Sequence, residues 1–560
     1  MSDHLYDVCI VGAGPAGIIV ALELARKAPT CKILLVEFGA EGGSRKNHLD
    51  DSLEVENTTN HHRPYDTTVK GLGGTSATWG GRCVMYDDID FLDRSVIGEN
   101  ATWSSDMQDA YKPYLQLAAD YFECGTAEFD ARNISHLEDG HIAAGFRNGP
   151  VTDYVLERWS RPTRFGERFS EEMAEAANLT IWQGFECRDF AAADEMGTVA
   201  TLTAREVATG KVRTVQAQAF VISAGAQEST RILLRNQRAL FNQLDAAPDA
   251  LGKYYQSHLS GKIASVQFYG DPKATEHEFL RDKDGTYVRR RFQFTSEFLQ
   301  KENLLNTAIW LDNPQYHDAG HGNGALSFMY LAMLTPLLGS RLAPPSIAHS
   351  ITKGVRQDLG KHLWNVVKSI PSSFTTPAGI FYRRYMNKRK LPGVFLPNKN
   401  NNYALHFHAE QVPDAANRME LTEDGEGLRI HYKFVPADID SIIRTHAALD
   451  NWLRKCGCGE LIYWYPPEKL AEVIRKNSID GIHQVGTTRI ADGSDRGVVD
   501  KNLKVFGTSN VFICSSSVFP TSGQANPTFL LGVFAARLAD HLRKTMPSGA
   551  ARSQQQSVVL

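Results

Sequence analysis

The chain has 560 residues, 42% of them hydrophobic and 22% charged, with a formal net charge of −4 and a pI near 6.5. That length exceeds a single hydrophobic core, so two packed domains, or one domain with a large excursion, is expected. The near-neutral balance argues against a polyanion, nucleic acid included, as partner. Eight cysteines, at 9, 31, 83, 124, 187, 456, 458 and 514, form no C-x-x-C pair. The C-x-C of "KCGCGE" lacks two further ligands nearby, so no metal is expected. The chain enters a strand almost at its first residue, leaving no room for a signal peptide, and no run reaches bilayer-spanning length; a cytoplasmic protein is expected.

In chain order, "YDVCIV" (6–11) has the pattern of a buried strand, "GAGPAGIIVALELARK" of a Gly-rich turn and helix, and "CKILLVE" (31–37) of a second buried strand. This β-α-β unit opens a doubly wound sheet. A loop-rich stretch, "NTTNHHRPYDTTVKGLGGTSATWGGR", follows, then helical segments at about 104–122 and 168–177 and a short strand at 179–183. Residues 200–206 and 211–216 read as a hairpin turning at Thr209-Gly210, after which "VQAQAFVIS" runs into Ala224-Gly225 and a helix. Residues 260–470 change texture, with strand candidates "YVRRRFQFTSEF", "YALHFHAEQV" and "GLRIHYKFV" and helical material from about 325 to 390, suggesting an inserted antiparallel sheet with appended helices. Residues 497–513 and the apolar helix "FLLGVFAARLADHLRK" return to the first sheet. No internal repeat is visible. The run "LSFMYLAMLTPLLG" (326–339), with basic "YRRYMNKRK" (382–390) after it, fits a buried or oligomer-interface helix better than a membrane-surface element, leaving a homo-oligomer open.

The resulting class is α/β with an α+β second part. A Rossmann-like nucleotide-binding domain comprises residues 1–95, 178–260 and 481–546. A substrate-binding domain comprises 96–177 and 261–480, with its helical excursion at about 325–390, and residues 547–560 form a disordered tail.

"VGAGPAG" sets Gly12, Gly14 and Gly17 in G-x-G-x-x-G spacing. The first glycine permits the tight turn, the second lets backbone approach a pyrophosphate, and the third packs helix on strand. Glu37, twenty residues after Gly17 and ending the second strand, is placed to accept from a ribose hydroxyl. NAD and FAD both satisfy this unit. Glycine-dense "KGLGGTSATWGGRCVMYDDIDF", the second strand-to-glycine turn in "FVISAGAQESTRILL", and the closure at "NVFICSSSVFPTSGQANPTFLLG" favour the longer FAD, which needs such distributed contacts.

With these segments and "LGKYYQSH" (251–258) and "EQVPDAANRMEL" (410–421), the chain from about residue 5 to 545 resembles the glucose-methanol-choline (GMC) flavoprotein oxidoreductases, nearest in character to pyranose oxidase and glycoside 3-oxidase members. The resemblance implies FAD and oxidation of an alcohol CH–OH by hydride transfer to flavin N5. It places the catalytic histidine on His483 of "HQVGTT" and its partner on Asn526 of "GQANPT". It also places cofactor contacts at Gly73, Gly74, Ser76, Thr78, Trp79, Cys187, Ala224, Gly225, Ser515, Ser516, Pro527 and Thr528. A neutral imidazole, with a pKa near ~6.5, suits removal of the hydroxyl proton. Locally, Asn526-Pro527 also reads as N-cap and N1 of the last helix, whose N-terminus sets partial positive charge near the flavin's pyrimidine end.

Thr78 stands where pyranose oxidases carry the histidine that bonds flavin, so FAD is expected to be noncovalent. His406, His408 and Glu410 alternate onto one strand face, a polar triplet like the one that contacts sugar hydroxyls in those relatives; alternatively Glu410 only anchors the sheet. A sugar or glycoside ring hydroxyl is the expected substrate. A non-sugar alcohol such as a natural product or sterol, a non-redox flavin-containing lyase, and a docking role for 326–390 are the alternatives. The electron acceptor, whether oxygen, a quinone or a redox protein, has no readable motif.

Overall fold

The computed structural model describes residues 4–40, 53–63, 67–98, 103–104, 106–193, 197–335 and 356–546. The tail 547–560, part of the loop before residue 67, and residues 336–355 of the helical excursion lie outside the described residues.

The first sheet has seven strands, in the order Leu179–Gln183, Ile33–Glu37, His4–Val11, Val212–Ile222, Val199–Glu206 and Phe185–Ala192, with Val511–Ile513 also pairing with Val212–Ile222. The pairs formed by His4–Val11, Ile33–Glu37, Leu179–Gln183, Val511–Ile513 and their partner Val212–Ile222 are parallel. They are covered on both faces, which is why Val8 to Val11 and Ile33 to Val36 are uninterrupted buried apolar runs. The hairpin at Thr209-Gly210 forms as the turn residues dictate, with Gly210 at φ +71°. The helix Pro15–Lys27 is buried along most of its length and packs against Thr528–Thr545, so the chain's two ends share one core.

The second sheet is antiparallel, in the order Thr307–Asp312, Asn402–Glu410, His258–Phe268 and Gly459–Tyr463. Its far side packs on the helices Pro436–Cys456 and Pro467–Asn477 through Ile263, Phe407, Ile439, Ile442, Leu449 and Ile474. The expected single inserted sheet is corrected in two places. Tyr287–Arg290 pairs with Leu156–Trp159, and Leu428–His431 pairs with Arg418–Leu421 and Leu53–Val55, so these segments build separate small sheets. Alternation identifies a strand but not its partner. The excursion is helical as expected, in Gly324–Leu334, Leu359–Lys368 and Ser372–Phe381. Among the described residues no helix is long and apolar enough to cross a membrane.

Candidate active site

At the carboxyl ends of the first sheet's parallel strands, next to Val11, Glu37, Ser223 and Cys514, lies a cavity of about 540 Å³, a size typical of ligand sites. Three helices begin at its wall: Pro15–Lys27 after Gly14, Gly225–Arg235 after Ala224, and Thr528–Thr545 after Pro527. None has a side-chain cap, so their first amide N–H groups face the cavity as an anion-binding array. The first turn requires its glycines. Gly12 is at φ +99°, and a Cβ on Gly17 would lie 1.9 Å from the Gly12 carbonyl oxygen. A Cβ on Gly14 would meet nothing within 4 Å; it would project into the cavity, where a diphosphate would lie. Gln227 lines the same wall with both amide atoms buried and unpartnered, a pair of groups awaiting a polar ligand. The residues present therefore fit FAD.

Of the expected cofactor contacts, Gly12, Gly14, Glu37, Gly74, Ser76, Thr78, Trp79, Cys187, Ala224, Gly225, Ser515, Ser516, Pro527 and Thr528 line this cavity. Gly17 and Gly73 do not. Gly17 sits behind the turn, and Gly73 packs where a Cβ would lie 2.4 Å from the Gly166 nitrogen. Glu37 already accepts from the Ala13, Gly39 and Gly71 amides, each at 2.8 Å, tying the turn to the glycine-rich loop. A carboxylate offers roughly four lone-pair sites, so one remains for a ribose hydroxyl.

At the other end, His483 and Asn526 meet at the cavity wall, with Asn526 Nδ2 donating to His483 Nε2 at 2.7 Å. Asn526 does not cap the last helix: Pro527 takes the N-cap position without a side-chain bond, and Asn526 Oδ1 is buried and unpartnered. His483 Nδ1 donates to Asp480 Oδ2 at 3.0 Å, which assigns the proton to Nδ1 and the lone pair to Nε2. Asp480 Oδ1 accepts from the Ile482 amide at 2.8 Å. Burial would raise the Asp480 carboxyl, yet His483 and His258 hold it well below the usual carboxylate range.

Two further imidazoles, buried and off the cavity wall, pack against His483. His258 and His408 stack with ring centroids 4.0 Å apart, and each meets His483 edge-on, at 5.0 and 5.2 Å. His258 Nδ1 is 3.4 Å and His408 Nε2 3.8 Å from Asp480 Oδ2. Burial lowers the pKa of both, for His408 well below the ordinary value, reinforced by His258 and Arg82, so they stay neutral. The four side chains bring one donor atom each within 4.8 Å, the donor types of a divalent-cation site, but Asp480 Oδ2 itself lies among the three imidazole nitrogens.

The polar triplet does not present one face to the cavity. His406 stacks on Trp310 at 4.6 Å and pairs with Ser260 Oγ at 2.8 Å. Glu410 is fully buried, gripped by Arg94 through two bonds of 2.6 and 2.7 Å and by the Asn306 amide. Only His408 comes close to His483, and its Nδ1–H is committed to the Gln524 carbonyl at 2.7 Å. Asn306 also donates to Asp87 and Asp90, and Gln524 to Asp87, so the Glu410–Arg94 pair belongs to a buried network that fixes the loop carrying Asn526. Burial beside Glu410 and Asp87 pushes the Asp90 carboxyl well up.

Sequence reasoning missed Asp480, His258, Gln227, Arg82 and Gln484. Asp480 had a readable signal, an acid three residues before His483. His258 and Gln227 stand inside "LGKYYQSH" and "AGAQES", but nothing local assigns them a role.

Residues 413–535 match the family model described as GMC oxidoreductase. The 6'''-hydroxyparomomycin C oxidase of Streptomyces lividus is 22% identical over 97% of this chain and 92% of its own length. An FAD-dependent oxidoreductase from Chaetomium thermophilum has the same fold with a TM-score of 0.52 at 16% identity, covering 96% of this chain and 99% of that one. A pyridoxine 4-oxidase from Mesorbium loti gives 0.50 at 15% over 96% and 99%. Residues 413–535 thus carry a GMC oxidoreductase C-terminal domain, in a chain whose fold is shared with flavoenzymes along nearly its whole length.

Proposed function

We propose that the substrate is a sugar or glycoside, oxidised at a ring hydroxyl, with His483 as general base, Asn526 as its partner and FAD held noncovalently. The division into FAD-binding and substrate-binding parts given above belongs to this reading. The observation that carries it is the orientation of His483: Nδ1–H is tied to an ionised, buried Asp480, while Nε2 points with Asn526 to the cavity wall. When bound, FAD supplies the hydride acceptor. A substrate hydroxyl reaching Nε2 would surrender its proton there, and the imidazolium so formed is stabilised by Asp480. The Asn526 amide then serves the substrate oxygen.

With Glu410 and His406 engaged elsewhere, support for a polyol rests on Arg82, Gln484, Thr78 and Asn526 on the cavity wall, where Arg82 Nε and Asn526 Oδ1 are buried and would stay unpaired against an apolar substrate. The residue at the flavin-linking position of the relatives is Thr78, without a ring nitrogen, and burial keeps the cavity thiol of Cys187 protonated, which supports a noncovalent cofactor. Eight free cysteines, seven of them buried, support a cytoplasmic setting. A second reading, oxidation of an aminoglycoside natural product rather than of a simple sugar or glycoside, draws on the relative whose name describes oxidation of 6'''-hydroxyparomomycin C.

Anaerobic titration of the purified holoenzyme with simple glycosides and, separately, with an aminoglycoside distinguishes these readings. Bleaching of the flavin band by glycosides, but not by sterols or aryl alcohols, is expected, and flavin should pass into the supernatant on acid denaturation. The variant His483→Ala should keep its flavin spectrum yet be reduced roughly 10²-fold or more slowly; undiminished reduction in it removes the assignment.

A further inference from the structure

The helix Leu359–Lys368 is inside out. Two of its polar residues face the protein: His362 Nδ1 pairs with Ser327 Oγ at 3.0 Å and Nε2 with the His317 carbonyl at 3.2 Å, and Asn365 donates to the Ala319 carbonyl at 2.9 Å. Its apolar residues face outward, with Leu363, Trp364 and Val367 exposed by 57, 64 and 57%. The following helix, Ser372–Phe381, packs on the same partner, Gly324–Leu334, and Ile370 and Phe374 at its start are exposed as well. Nine of the sixteen exposed large hydrophobics among the described residues fall between positions 359 and 386. A surface helix in water buries its apolar stripe, and a concentration of this kind marks an interaction surface.

The surrounding charge is one-sided. Residues 356–390 carry eight basic side chains and one acid, Asp358, in a chain whose net charge is −4. Arg356, Lys368, Lys388 and Lys390 are exposed, and Asp358 is paired with Lys361 at 3.2 Å. An apolar face with a cationic rim is complementary to an anionic bilayer surface, where acyl chains meet phosphate.

We propose that this face docks the enzyme reversibly on an anionic lipid bilayer. Leu363, Trp364, Val367, Ile370 and Phe374 enter the headgroup–acyl boundary, and the basic side chains meet lipid phosphates. The helices lie on the surface rather than cross it, in keeping with the lack of a spanning helix among the described residues. A second copy of the chain is the poorer occupant, because a twofold contact through this patch sets one cationic rim against another.

Holoenzyme is sedimented with phosphatidylcholine vesicles, with mixed phosphatidylcholine–phosphatidylglycerol vesicles, and without lipid. Pelleting with the mixed vesicles is expected, weakened by salt and by omission of phosphatidylglycerol. The double variants L363S/W364S and K388E/K390E should each bind the mixed vesicles at least about tenfold more weakly, with unchanged flavin spectrum and turnover in detergent-free buffer. Holoenzyme that stays in the supernatant with both vesicle types overturns the proposal. So does vesicle binding indifferent to both double variants, or a lipid-free dimer in sedimentation velocity that L363S/W364S dissociates.

Discussion

The two walls of the cavity are built from different materials. On the cofactor side, buried apolar strands end in turns at Gly12, Ala224 and Ser515, and the polar contacts come from amide N–H groups at three helix starts. At the other end the functional atoms belong to side chains, His483 and Asn526 on the wall with His258, His408 and Asp480 buried behind them, held by buried ion pairs and hydrogen bonds from distant segments. A wall of backbone tolerates changes of side-chain chemistry but not an added Cβ. A wall of side chains tolerates neither the loss of a charge nor the loss of its partner.

Two substitutions test that contrast at its strongest. Gly17→Val places a Cβ 1.9 Å from a backbone oxygen that cannot withdraw, so the variant should retain no FAD and little folded protein, read from the flavin-to-protein absorbance ratio and the melting curve. Arg94→Met leaves Glu410 ionisable, fully buried and without its counter-charge. A loss of about 3–5 kcal/mol in urea unfolding is expected, most of it restored by the double variant R94M/E410L. Equal stability of the single and double variants would show that the pair is not the anchor of this wall.

The same contrast explains what could be read in advance. The β-α-β unit, the strand at 179–183 and the hairpin at Gly210 are local patterns, and local patterns survive in the amino-acid order. The alternation that put His406, His408 and Glu410 on one face was sound, yet Glu410 finds Arg94 across 316 positions and turns from ligand to anchor. Asn526-Pro527 carries a strong local cap signature, but the contact with His483, 43 residues earlier, prevails. Asp480 is near His483 in sequence, and its approach depends on the turn at Gly481, φ +108°, packed against the His61 ring. The apolar run after 326 reads as a buried helix, and Leu326, Ser327 and Tyr330 are buried; periodicity gave no sign of which side of Leu359–Lys368 meets the protein.

On the far side of the second sheet, His446 tests how burial of neutral side chains limits the fold at acid pH. It is fully buried on Pro436–Cys456, its Nδ1–H bonds the Ile442 carbonyl at 2.7 Å, and burial pushes its pKa down to about 4. In the unfolded chain an imidazole titrates near ~6.5. Because the folded value is the lower one, the contribution is complete above the unfolded pKa and is lost as pH falls toward the folded value. The full difference is on the order of 3 kcal/mol. His446→Phe should flatten the decline in unfolding free energy between the two values without abolishing it, because burial lowers His61 and His321 to about 4 as well. Parallel declines in parent and variant would remove His446 from the account.

The smallest expected effect concerns Asp480, a positioning residue behind His483. Asp480→Asn keeps the size of the side chain but an acceptor for only one of its two donors, the His483 Nδ1–H or the Ile482 amide; with its oxygen toward His483 the protein should keep its FAD. What disappears is the negative charge facing the imidazolium that forms when the hydroxyl proton arrives. Flavin reduction should slow by roughly ten- to a hundredfold. His483 and His258 hold the Asp480 carboxyl ionised despite burial, so the carboxyl contributes no titration of its own near neutrality. The acid limb of the reduction profile should therefore move to lower pH in the variant, as the protonated imidazole loses its counter-charge. A purely structural Asp480 would lower the rate, if at all, without moving that limb, and the profile rather than the rate decides between the two.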